Sequence, residues 1–141
     1  MADWIDNNLV IIGTNCKKDN PEEMKKTVNF ITKGNWIEKQ GDDRVTINDP
    51  LSGGMSTKKE LENGIVKFQS AYEPPSKALK KMSKTFPKMT FLDVYDDIDG
   101  KKMIVGCNNG KCHYGSIIGF IKVLPKMEKE CPIFKKVEKV I

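Results

Sequence analysis

The residues best suited to chemistry lie in Gly106-Cys-Asn-Asn-Gly-Lys-Cys-His-Tyr-Gly115, which holds two of the four cysteines and the single histidine. Asn109-Gly110 is the favoured centre of a two-residue type I′ turn, because both positions need positive φ. That register pairs Asn108 with Lys111 and Cys107 with Cys112. Successive strand residues point to opposite faces, so His113 turns away from both sulfurs. The hairpin therefore cannot offer all three groups to one ion. A zinc site would also need Cys16 and Cys131, whose spacing matches no usual knuckle. The segment is expected to be a turn flanked by small cysteines. A Cys107–Cys112 bridge is sterically allowed, since directly opposed residues lie close together, but a reducing cytosol would keep both as thiols. No metal and no cofactor is expected.

Three further stretches carry suggestive residue types. Tyr95-Asp-Asp-Ile-Asp-Gly100 is acidic, but with Gly100 at the sixth position of a calcium loop an acid would be needed at Tyr95, and the distal glutamate is missing. A solvated turn is expected. Residues 51–59 mix glycines, hydroxyls and lysines without the spacing of a phosphate loop. They read as a mobile loop of a kind that can order on a partner, with Ser56, Lys58 and Lys59 as candidate partner-binding residues. The third stretch, residues 76–92, contains no acid. Lys77, Lys81 and Lys84 share a helix face there, with Lys80 and Lys88 alongside, opposite an apolar stripe. Such a face is usually only solvated, but an unbalanced positive field attracts an acidic protein groove or a phosphate backbone.

Catalysis finds little support. His113 has no obvious serine or cysteine partner, and no carboxylate has a sequence context that suggests burial. No catalytic residue is assigned.

The elements that position these groups follow from periodicity. Residues 7–15 form an apolar, β-branched run closed by Gly13, which predicts a buried strand. Asn20, Pro21 and Glu23 have the spacing of a helix start, with Met24, Val28 and Ile31 recurring behind them and Gly34 as the stop. Residues 36–49 predict one or two short strands, and Thr57 to Glu60 a capping box. Val66 and Phe68 alternate with polar neighbours in a strand with one wet face. A helix with Ala78, Leu79, Met82 and Phe86 on its apolar stripe is entered through prolines and stopped by Pro87. A strand over 89–97 leads to a hairpin over 101–118. The tail, 125–141, reads as helical or frayed and broken at Pro132. Strand, helix, strands, helix, strand is the order of an α+β, ferredoxin-like split βαβ sandwich, with two helices on one face of an antiparallel sheet plus an extra hairpin and tail. The domain is drawn over residues 1–124, with 125–141 packed on it or extending from it.

Composition bounds the remaining choices. A chain of 141 residues suits one domain with an adequate core. No apolar run approaches the roughly 20 residues of a membrane span. The acidic start lacks the pattern of a secretory leader, which places the protein in a cytoplasm. Of 24 basic residues only Arg44 is arginine, which disfavours sequence-specific DNA reading. The sheet lacks the exposed aromatics of an RNA-recognition domain: aligned on Phe68, the stacking positions fall on Asn63 and Ile65, and the first strand offers Val10.

Two segments resemble a family of phage and plasmid proteins with a YubB-type ferredoxin-like domain. Trp4, Asn7, Leu9 and Gly13 stand at the family's opening spacings, with Asp3 in place of the usual Asn. Phe68, Tyr72, Pro74, Pro75, Phe86, Pro87 and Phe91 match its signature of a strand, an aromatic, Pro-Pro and a helix ending in Phe-Pro. The likeness covers about a third of the chain; residues 35–63 and the tail after Gly115 have no counterpart. It implies a ferredoxin-like fold and a mobile-element origin, and carries no catalytic residue. The function expected is that of a non-catalytic phage or mobile-element protein that docks on a host protein or nucleoprotein, such as a CRISPR-type defence complex, and inhibits it. The alternatives are a sequence-nonspecific nucleic-acid binder using lysine–phosphate contacts, and a small nucleotide or phosphodiester hydrolase.

Overall fold

The computed structural model describes residues 4–14, 20–32, 45–46, 56–71 and 76–141. Strand β1 (Trp4–Gly13) is followed by α1 (Pro21–Thr32), a two-residue strand β2 (Val45–Thr46), a short helix α2 (Lys58–Glu62) and β3 (Ile65–Ala71). Then come α3 (Ser76–Thr85), β4 (Met89–Asp96), β5 (Lys102–Asn108), β6 (Lys111–Ser116), α4 (Ile117–Glu130) and a 3-10 helix (Pro132–Val140).

Local chemistry explains where the helices begin. Asn20 Oδ1 accepts from the Glu23 N–H at 3.3 Å ahead of Pro21, which satisfies one of the orphan donors of the first turn. Thr57 and Glu60 form the expected reciprocal capping box, at 3.1 and 3.0 Å. Ser116 caps α4 by accepting from the Gly119 N–H. Gly34, Pro74 and Pro75, expected to punctuate α1 and α3, lie outside the described residues.

The sheet order is β2-β3-β1-β4-β5-β6, antiparallel throughout. Its first four strands have the order of a ferredoxin-like split βαβ sandwich, and the β5–β6 hairpin widens the sheet beyond β4. On one face Leu9, Ile11, Phe68, Phe91 and Val105 pack with Met24 and Ile31 of α1 and with Leu79 and Met82 of α3. Phe30 of α1 and Phe86, just past α3, meet edge to face at 5.4 Å.

The opposite face is closed as well. Val10, Ile12, Leu92, Val94 and Ile104 pack beneath Ile117 of α4 and Ile133, Val137 and Val140 of the 3-10 helix. The tail is thus a second layer over the sheet. The helix that starts it differs from the expected hairpin through residue 118. It begins at Ile117 and runs past Pro125 to Glu130. An interior proline costs a helix about 3 kcal/mol, whereas burying a large aliphatic side chain yields about 1.5–3 kcal/mol. Ile117 and Leu124 are both buried, so packing outweighs the break. Among the described residues no helix is long and apolar enough to cross a membrane.

Candidate partner-binding surface

Helix α3 advances about 100° per residue, which places Lys77, Lys80, Lys81 and Lys84 within an arc of about 100°. All four are exposed, while Ala78, Leu79, Met82 and Ser83 on the other side are buried. Lys88 is exposed beyond Pro87, and its backbone is pinned because the Thr14 N–H and Oγ1 both donate to its carbonyl, at 2.9 and 3.1 Å. All five lysines therefore sit on one rigid element and its continuation.

The hairpin is the seat of this ridge. Ser83 Oγ donates to Lys80 O and accepts from the Gly110 N–H, both at 2.8 Å. The Lys84 stem lies so close over Gly110 that a Cβ there would stand 2.5 Å from Lys84 Cε. At the other end of the helix Tyr114 and Ser76 join through their hydroxyls.

The expected turn is present. Asn109 and Gly110 have φ of 47° and 80°, and Asn108 faces Lys111 while Cys107 faces Cys112. His113 is opposite Gly106 and exposed. The thiol reading needs correction: Cys107 and Cys112 are joined by a disulfide, and Cys131 is disulfide-bonded too. The non-hydrogen-bonded pairing brings the two Cα atoms to 4.1 Å, within easy reach of a bond. Among the described residues no cysteine is free, and no three His, Cys, Asp or Glu side chains gather as a metal site.

The contact-loop residues fall elsewhere. Residues 51–55 lie outside the described set. Ser56 is buried, and its Oγ accepts from the Lys67 N–H at 2.7 Å; it ties the entry of α2 to β3. Lys58 and Lys59 are exposed, but α2 packs on β3 and α1, whereas α3 packs on β4, β5 and β6. They do not join the ridge. Lys58 instead lines a groove of about 630 Å³ between α1 and α2, with Lys25 and Lys136.

The acidic turn is structural. Asp97 Oδ1 accepts from the N–H groups of Asp99 and Lys101 at 2.9 and 2.8 Å, and Gly100 has a φ of 82°. Another carboxylate corrects the expectation that none is buried. Asp93 is 0% exposed in the middle of β4, and neither of its oxygens has a hydrogen-bond partner. Loss of hydration pushes its pKa well above the ordinary aspartate value, because burial disfavours the charged form. Asn7, on the same sheet face, donates to Ser70 Oγ at 2.8 Å and leaves its own Oδ1 without a donor. The signal for burial was present: Asp93 sits in Phe91-Leu-Asp-Val-Tyr95, an apolar run flanked on both sides by aromatics.

No family model, curated protein or solved structure matches this chain. The class defined by the fold is an antiparallel α+β sandwich that carries a lysine ridge on its second long helix.

Proposed function

We propose that this chain is a non-catalytic binding protein that docks on the acidic surface of a partner macromolecule through Lys77, Lys80, Lys81, Lys84 and Lys88. The observation that carries the reading is the continuous exposed arc of lysines on a helix that contains no carboxylate. No acid on the same helix offsets the positive field of the ridge. Lysine is a hydrated point charge that tolerates many acceptor geometries, which suits an acidic protein face. In keeping with the phage and plasmid resemblance, the partner proposed is a host component that the protein occludes.

A protein partner is favoured over RNA by the covered sheet. In RNA-recognition domains the face opposite the helices stacks bases, and here that face lies under α4 and the 3-10 helix. Phosphate contact by the ridge without base readout is the second reading, resting on the same lysines. A bacterial cytoplasm remains the proposed site of action. Because disulfides persist poorly in most cytosols, that site requires a host whose cytosol preserves them or bonds formed after release.

Affinity capture from host lysate, with wild type and Lys77→Glu/Lys81→Glu/Lys84→Glu in parallel, tests the proposal. The wild type should retain an acidic protein that the triple variant loses, with affinity that falls as salt rises. Equal capture by both proteins would discard this surface. A gel shift with DNA and RNA at low salt that disappears in the triple variant, with no protein captured, would move the assignment to nucleic acid.

A further inference from the structure

The groove between α1 and α2 is a second basic feature with a different character. Its floor is apolar: Met24 and Leu61 are buried and Val28 is half-buried. Its volume of about 630 Å³ falls in the range of small-molecule sites, about 300–1,000 Å³. A helix ridge cannot enclose a ligand; this groove can.

Among the described residues the charge around it is positive: Lys25 and Lys58 line it from α1 and α2, against the single carboxylate of Glu62. Two neighbouring acids are committed elsewhere: Glu23 pairs with Lys26 at 3.7 Å and Glu60 with Lys67 at 2.8 Å. The Glu60 pair is the firmer one, and the Lys67 ammonium holds the Glu60 carboxyl below its usual range. Lys136 reaches across from the 3-10 helix, and its Nζ donates to Ile11 O at 3.3 Å.

The floor is also held in place. Gly64 has a φ of +77°, and a Cβ there would stand 2.7 Å from Met24 Sδ and 2.8 Å from Ile11 O. Met24 therefore rests directly on the backbone beneath it. A fixed apolar floor with a cationic rim matches an amphiphile with a negative head.

We infer that the α1–α2 groove binds a small amphiphilic carboxylate, with its apolar body on Met24, Val28 and Leu61 and its head at Lys25 and Lys58. This site is separate from the ridge on α3 and does not depend on the docking proposed there.

Amide chemical shifts of the full-length protein, followed while decanoate, decanol and decyltrimethylammonium are added below their micelle concentrations, test it. Decanoate should give saturable shifts confined to residues 24–28 and 58–63. Decanol should bind about tenfold more weakly, because it cannot form the charge-assisted contacts. The cationic amphiphile should give no saturable shift there. Lys25→Ala/Lys58→Ala should lower decanoate affinity about tenfold and leave decanol unchanged; both lysines are exposed, and retention of the wild-type spectrum elsewhere confirms the fold. Equal binding of decanoate and decanol would overturn the inference. So would shifts that map to another region, or an acidic peptide that saturates the groove where decanoate does not.

Discussion

The two basic regions use the same residue type for opposite geometries. On α3 the lysines crown a convex helix and are exposed on the side opposite its buried residues. Between α1 and α2 the lysines border a concavity floored by methionine, valine and leucine. A convex array acts at long range and weakens as salt screens it. A concave site adds apolar burial, which salt does not remove. Each region also sits over a glycine with positive φ, and the two seats differ. Gly64 lies beneath a buried methionine and against a backbone carbonyl; Gly110 lies beneath the flexible stem of Lys84.

Four substitution experiments test that contrast. The largest effect belongs to Gly64→Ala. Left-handed strain costs about 1–2 kcal/mol and overpacking about 1–3 kcal/mol, so denaturation should show a loss of about 3 kcal/mol. Next is the hairpin that seats the ridge. Replacing both bonded cysteines, as Cys107→Ala/Cys112→Ala, opens a short loop and should cost about 2 kcal/mol in urea unfolding on the chain-entropy relation. Unchanged stability would mean that the bond contributes nothing to seating α3. Third, Lys77→Glu/Lys81→Glu/Lys84→Glu should weaken partner binding by tenfold or more, about 1.4 kcal/mol, at low salt. Lys25→Glu/Lys58→Glu should leave that binding unchanged. Smallest is Gly110→Ala, at about 1 kcal/mol from backbone strain, because the Lys84 stem can move aside. A loss as large as that of Gly64→Ala would show the two seats to be equally rigid.

A fifth experiment reads a slope with pH. Asp93 has a folded-state pKa raised by burial above the ordinary 3.8. Its stabilising contribution is complete below that ordinary value and is lost as pH rises toward the folded value, because the unfolded chain ionises first. Asp93→Asn cannot ionise. Urea titrations from acid to neutral pH should therefore show the wild type losing stability relative to the variant as pH rises. A pH-independent difference would mean that Asp93 does not titrate in this window.

The parts of the molecule legible in the sequence are those set by nearest neighbours. Asn109-Gly110 names its turn, and turn geometry sets the pairing of Cys107 with Cys112. Thr57 and Glu60 name their capping box, and the spacing of Ala78, Leu79 and Met82 places the lysines of α3 outward. The groove was not legible. Lys25, Lys58 and Lys136 come from three separated segments, and nothing local to any of them reports the others. Lys58 and Lys59 read as partners of the α3 lysines because lysine-rich stretches look alike in one dimension; the strand order sends α2 and α3 to different parts of the sheet.

The hairpin turn, the caps of α1 and α2 and the outward face of α3 were set by the sequence alone, since each depends on contacts within a few residues. Assembly of the layers closed the second sheet face with the tail, buried Asp93 without a hydrogen-bond partner, and brought three distant lysines to one apolar groove. The state of the hairpin cysteines also belongs here: their spacing allows either thiols or a bridge, and the folded structure holds a bridge. Burial and charge clustering are sums over residues far apart in the chain, so they come into being only when the layers assemble.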